Sequence, residues 1–258
     1  MFDSIPALIA CMESDLAKLT AGGGASGAGS GAGDRRRYFH ATYLRTTRAV
    51  AEEIDRGGFL DGGWLERWDL AFAELYVDAL TADLRGDPVS RPWQVAFAAA
   101  REHAELPPLR HVLLGMNAHI NYDLPQALLA VISPEEFDDP GVRESRAADH
   151  RHVDDVLVSR VGAEDVELSA TSQLSLLDRL LAPANRWATR RFLAEARAKV
   201  WQNTIILDRA RRRSPEEYRR KLAELEELSA RRLVDLTAPG QVLLKLARRG
   251  FGVRLTAT

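Results

Sequence analysis

The stretch from His111 to Pro125, H-V-L-L-G-M-N-A-H-I-N-Y-D-L-P, concentrates side chains that move protons or bind cations inside an otherwise apolar segment. In a continuous helix His119 and Asp123 lie four residues apart on one face, beside Val112 and Met116. Asn117 and Asn121 form a second such pair on another face. A His-x-x-x-Asp pair can bring an imidazole nitrogen and a carboxylate oxygen to one cation, because the two side chains project to points about one turn apart. Gly115, one turn before His119, leaves space there. Pro125 cannot donate to the carbonyl of Asn121 and bends a helix at that level. A second reading of Asp123 stays open: Asp123-Leu124-Pro125-Gln126 also has the form of a helix cap, in which case one helix ends near Tyr122 and another begins.

Burying a titratable group is costly unless it is paired or binds a metal, so such groups on the apolar stripes of other helices carry information. His40 falls beside Tyr43, Leu44, Thr47 and Ala51 and faces inward, as a ligand or as a core histidine bonded to a neighbour. Asp69 lies within the arc of Leu65, Trp68, Phe72, Tyr76 and Ala79 and needs a partner. In D-H-R-H-V-D-D, Asp149, His152, Val153, Val156 and Arg160 share one arc, with His150 and Asp154 opposite, so His152 is the expected inward histidine. The same segment could be a charged surface. His103 and His111 carry less information, His103 lying in a charged stretch and His111 at a helix start. Trp187 and Trp201, with Arg190 and Arg197 between them, could wall a pocket or pack as ordinary aromatics with outward arginines.

Gathered at one point, His40, Asp69, His119, Asp123 and His152 would suit a divalent metal, Zn or Fe, better than Ca or Mg, since imidazole is a borderline ligand. The expected chemistry is ester or phosphoester hydrolysis of a small-molecule substrate by metal-activated water, with Asp149 as general base. The same residues would serve non-haem iron and oxygen chemistry. A non-catalytic helical binding or assembly protein is the third possibility, in which the inward polar groups satisfy each other.

Helices must position these residues. Apolar residues recur every three or four positions, and alternating Val, Ile and Thr runs are nearly absent, so the fold class is all-α, a multi-helix bundle. Helices are expected at about 35–56, 62–84, 90–104, 108–132, 142–160, 165–181, 185–212 and 215–247. Ser133-Pro134-Glu135-Glu136 and Ser214-Pro215-Glu216-Glu217 each give a capping Ser, a Pro at the first helical position and a Glu three residues after the cap. The expected organisation is an N-terminal helix within 1–20, a Gly-rich flexible tether at 21–33, and one all-helical domain over 34–258. Ile5, Leu8, Ile9, Met12, Leu16 and Leu19 give the first helix an apolar face that should dock on the main domain.

The chain of 258 residues carries 35 Lys plus Arg against 37 Asp plus Glu, a net charge of -2, so no global field draws it to nucleic acid. Arg35-Arg36-Arg37 and Arg211-Arg212-Arg213 lack the interleaved aromatics of a nucleic-acid site. No apolar run is long enough for a membrane span. One cysteine, Cys11, and no basic leader make a cytoplasmic location the expectation. A homo-oligomer is possible.

The G-M-N-A-H-I-N-Y-D-L-P block, with F-H-A-T-Y-L-R-T-T before it and D-H-R-H-V-D-D after it, resembles an uncharacterised helical family of bacteria and fungi classed only as a domain of unknown function. A more distant resemblance is to the zinc-dependent phospholipase C and P1 nuclease superfamily, whose helical enzymes also place a His-x-x-x-Asp pair on a central helix. That resemblance implies His119 and Asp123 as ligands, completed by Asp69 and by His40 or His152. It does not extend to a complete trinuclear zinc cluster, because a second such pair is absent.

Overall fold

The structure is a computed structural model that describes residues 2–21, 33–171, 176–238 and 250–256; of residues 158–171, 176–190, 192 and 193 it describes the backbone alone. The architecture is all-α, with no strand among the described residues. In chain order come α1 (Ile5–Ala21), α2 (Arg37–Asp55), α3 (Gly62–Arg85), α4 (Arg91–Glu102) and α5 (Pro108–Ala118). A π-helical turn, His119–Asp123, leads without a break into α6 (Leu124–Val131). Then follow α7 (Pro134–Asp138), α8 (Pro140–Thr171), α9 (Leu176–Arg213) and α10 (Pro215–Thr237).

Side-chain oxygens satisfy the free amides at several helix starts. Asp61 accepts from the Trp64 amide at 2.9 Å before α3, and Ser214 accepts from Glu217 at 3.0 Å before α10. Ser133 and Glu136 form the full reciprocal capping box of α7. The helix expected over 142–160 continues as α8 through Thr171, and α10 ends at Thr237; of the expected 215–247, residues 239–247 lie outside the described residues. The stop has a local cause: Pro239 disfavours helical backbone at the residue before it, and Ala238 sits at φ -60, ψ 144.

Helix α1 docks as its apolar face requires, packing on α2 and α3 with Leu8, Met12 and Leu19 in the core. Most of the Gly-rich tether lies outside the described residues. Helix α3 runs along α6, α5 lies between α2 and α10, and the π-turn meets α3, α9 and α10, so it occupies the middle of the bundle. Trp64, Tyr76, Trp93, Leu114, Leu124 and Leu128 are fully buried around it. Each such side chain contributes about 1.5–3 kcal/mol by leaving water.

The domain was expected to be helical throughout, yet residues 250–256 form a non-helical segment threaded against the bundle. Phe251, Gly252 and Val253 are buried, and from Val253 the pattern alternates, Leu255 buried and Arg254 and Thr256 exposed. Side chains take the place of a neighbouring strand. Asn121 donates to the Phe251 carbonyl at 3.1 Å and accepts from the Val253 amide at 3.2 Å. Asn203 repeats the pattern on the Val253 carbonyl at 3.0 Å and the Leu255 amide at 2.9 Å, and Glu195 accepts from the Phe251 and Gly252 amides. Gly252 permits the approach, since a Cβ there would stand 2.7 Å from the Cα of Ala196.

Candidate functional site

The π-turn carries the two residues the motif points to. Asp123 has helical backbone, φ -78 and ψ -40, and makes no capping bond, so the helix runs through it. Pro125 lacks the N–H that an α-helix would direct to Asn121, and the wider turn accommodates this with a bond from the Leu124 amide to the His119 carbonyl, five residues back. His119 Nδ1 donates to Asp123 Oδ2 at 2.9 Å, and the Trp93 indole N–H donates to the same oxygen at 2.8 Å. With the proton on Nδ1, His119 Nε2 presents its lone pair, and it has no hydrogen-bond partner.

Aromatic rings enclose that nitrogen. Phe72 stacks on the imidazole at a centroid distance of 3.6 Å, and Tyr43 meets it edge-on at 4.5 Å. Phe39, Tyr76 and Trp93 stand at about 6 Å. Burial pushes the imidazole below its ordinary pKa and the Asp123 carboxyl above its own, while the bond between them opposes both shifts. Asp69 lies one turn before Phe72 on α3, and its Oδ2 has no hydrogen-bond partner. Burial alone raises its carboxyl to about 7. The Tyr43 hydroxyl, also without a hydrogen bond, is pushed well above its ordinary range by burial and by the charges of Asp69 and Asp123.

The other expected ligands are placed elsewhere. His40 is fully buried, but Nε2 donates to the Met12 carbonyl of α1 at 2.8 Å and Nδ1 accepts from the Tyr76 hydroxyl at 2.9 Å, so neither nitrogen is left for a cation. Asp149, the expected general base, accepts from the amides of Leu60 at 2.8 Å and Asp61 at 3.0 Å, fixing the turn that enters α3. His152 is not the inward histidine: its side chain is 38% exposed and meets Glu53 at 3.3 Å. His150 is the buried one, its ring between those of Trp68 and Trp201. The stripe is rotated because α9 covers the side of α8 assigned to solvent, where the buried Arg197 pairs with Asp154 and donates to the His150 carbonyl at 2.6 Å. Among the described residues no group of three or more His, Cys, Asp or Glu side chains is arranged to hold a metal ion.

Several other expectations change with these contacts. Gly115 leaves no vacancy, because the Phe39 ring fills the space so closely that a Cβ would stand 2.2 Å from its Cγ. Arg197 is buried and not outward, and the side chain of Trp187 lies outside the described residues. Both arginine clusters contribute structural contacts: Arg36 pairs with Asp34 and Asp83, and Arg211 donates to the carbonyls of Leu129 and Ile132 at the end of α6. Sequence reasoning named Tyr43 only as a neighbour of His40 on its stripe and passed over Trp93. Only the tertiary contact of α4 with the π-turn marks Trp93.

An all-α bundle with a buried His–Asp dyad at its centre, beside an unpaired carboxyl, is the class that fold and site define. The chain belongs to a family of unknown function, DUF5995, whose model matches residues 12–239. No curated protein matches it, and no solved structure does. The likeness to the phospholipase C and P1 nuclease superfamily has no counterpart in these comparisons. Among the described residues no helix is long and apolar enough to cross a membrane.

Proposed function

We propose that this protein is an enzyme that hydrolyses an ester or phosphoester of a small molecule, using His119 as general base and Asp69 as general acid. The observation that carries this reading is that two buried proton-transfer atoms, His119 Nε2 and Asp69 Oδ2, are left without partners around the Tyr43 and Phe72 rings. A buried polar atom without a partner costs about 1–3 kcal/mol, and such groups concentrate where chemistry uses them. His119 Nε2 and Asp69 Oδ2 are the expected ligand atoms that are buried without a partner, and among the described residues no three such side chains converge as a catalytic Zn or non-haem Fe site requires. These two atoms suit proton transfer.

His119 is held neutral by burial, so Nε2 can take a proton from water as the water oxygen bonds to the ester carbon or phosphorus. Asp123, fixed by Trp93, stabilises the imidazolium that forms. Asp69, with its carboxyl raised to about 7, is substantially protonated at neutral pH and gives its proton to the leaving oxygen as the ester bond breaks. Proton return from His119 to Asp69 restores the resting state.

The test is turnover of p-nitrophenyl acetate and bis-p-nitrophenyl phosphate by the full chain, compared with His119→Gln and Asp69→Asn. Each variant should lower kcat/KM by about 10²–10⁴. Folded variants with undiminished turnover, or a native chain no faster than buffer on both substrates, would overturn the reading.

A further inference from the structure

Residues 250–256 lie in a groove formed by α9, α10 and the π-turn, and side chains read their backbone. The amides of Phe251, Gly252, Val253, Leu255 and Thr256 all have side-chain acceptors, on Glu195, Asn121, Asn203 and Glu224. Lys199 donates to the Gly252 carbonyl at 3.2 Å and Lys221 to the Thr256 carbonyl at 3.0 Å. Among the described residues no main-chain to main-chain bond joins this segment to a helix. The helices keep their own main-chain bonds, so the walls of the groove do not depend on the segment for their secondary structure.

The reading groups are nevertheless built for an occupant. Asn121 and Asn203 are fully buried, and each uses both ends of its carboxamide on segment residues two apart, the repeat of an extended chain. An empty groove would leave those four polar atoms unmet and uncover the core surface that Phe251, Val253 and Leu255 close. The reading side chains all lie within the matched residues 12–239, and the seated segment lies beyond them. The groove is thus part of the matched domain, and its occupant is not.

We propose that this groove is a receptor for an extended peptide, filled in cis by residues 250–256 and in trans by a partner protein's segment of the same chemistry, apolar-Gly-apolar-x-apolar. Backbone contacts supply affinity for any extended chain, and the alternate buried positions of Phe251, Val253 and Leu255 select apolar side chains. Glycine is required at the second position, where a Cβ would stand 2.7 Å from the Cα of Ala196 and 2.9 Å from Cδ of Lys199. Arg254 is exposed, so its position is unselective. Asn121 stands between His119 and Asp123 in the π-turn, which places the occupant against the turn that holds the dyad. Peptide binding does not depend on the hydrolytic reading.

The test uses the full chain carrying Gly252→Ala, which unseats its own segment and leaves every reading side chain in place. A fluorescein-labelled heptapeptide with the sequence of residues 250–256 should bind this variant with a Kd on the order of 10 μM or tighter by anisotropy. The native chain should bind it about tenfold more weakly or worse, because its own segment competes at the effective concentration of a tether. Adding Asn203→Ala should weaken the peptide about tenfold or more, as should alanine at the peptide's second glycine. The proposal is overturned if the folded Gly252→Ala chain binds no better than the native one, or if neither of these two changes weakens binding. Hydrogen exchange on the native chain gives a second measurement that stands even where the variant fails to fold. The amides of Phe251, Val253 and Leu255 should exchange at least tenfold faster than that of the buried Leu207 in α9, because the segment detaches while the helices stay folded. Equal rates would mean that the segment leaves only on global unfolding, and would overturn the proposal.

Discussion

The indole N–H of Trp93 donates to Oδ2 of Asp123 at 2.8 Å, across 30 residues of sequence and within a fully buried centre. The bond ties α4 to the π-turn and gives a buried carboxyl, already loaded by His119, a second donor. Trp93→Phe keeps much of the ring and removes that donor. Unfolding by urea should show a loss of about 1.5–3 kcal/mol, the worth of a hydrogen bond to a charged group, beyond any loss from the smaller ring.

Stability should depend on Asp69 with a definite sign. Its carboxyl titrates near 3.8 when unfolded and at about 7 in the folded chain, so between those values the native state holds the extra proton. Stability from this group therefore falls as pH rises from about 4 to 7 and stays low above that, by about 4 kcal/mol in all. Asp69→Asn abolishes the dependence. The variant should gain on the native chain from pH 5 to pH 8 in paired denaturation curves; an unchanged difference between the two pH values would show that the carboxyl is not raised.

The buried histidines act on the acid side. Burial lowers His40, His119 and His150, so below about 6.5 the unfolded chain takes up protons that the folded chain refuses. In the Asp69→Asn background, where the opposing carboxyl is removed, melting temperature should drop as pH falls from 7 to 5, and adding His150→Phe, which removes the most strongly shifted histidine, should flatten that drop in calorimetry.

Gly115→Ala opposes two effects. Alanine favours a helix by about 1 kcal/mol over glycine. The new Cβ, however, would stand 2.2 Å from Phe39, whose ring is already held by Tyr43, Tyr76 and Trp93 and cannot step aside. Overpacking of this kind costs about 1–3 kcal/mol, so thermal melts should show a net loss.

Phe251→Ala tests the segment that closes the bundle. The ring is 1% exposed and its backbone is held by Asn117, Asn121 and Glu195. Truncation should cost about 3–5 kcal/mol by denaturation, a core-sized penalty for a residue outside every helix.

The helices were legible in the linear pattern because amphipathic spacing and capping residues act over one or two turns. Ser133 and Glu136 cap as their types require, and α1 docks through the face its leucines define. That His119 and Asp123 share one face was legible for the same reason, being a relation within one helix, although the spacing was read as two ligands of a cation and the structure joins the two side chains to each other. Distances between helices are not encoded in spacing. His40 carries the signature of an inward histidine, yet only the approach of Met12 and Tyr76 decides that both nitrogens are occupied. Asp149 and His152 read as site residues until the turn before α3 claims one and solvent the other.

Local sequence thus determined an all-α chain with a polar His–Asp pair set on an apolar helix. Tertiary structure decided which polar groups are left without partners. Arg197 of α9 turned His150 inward, residues 250–256 took up the amides of Asn117 and Asn121, and Trp93 reached Asp123 from a separate helix. The physical reason is that hydrogen-bond satisfaction is a property of the packed whole: a side chain's type states what it needs, and only its neighbours in space settle whether it is met.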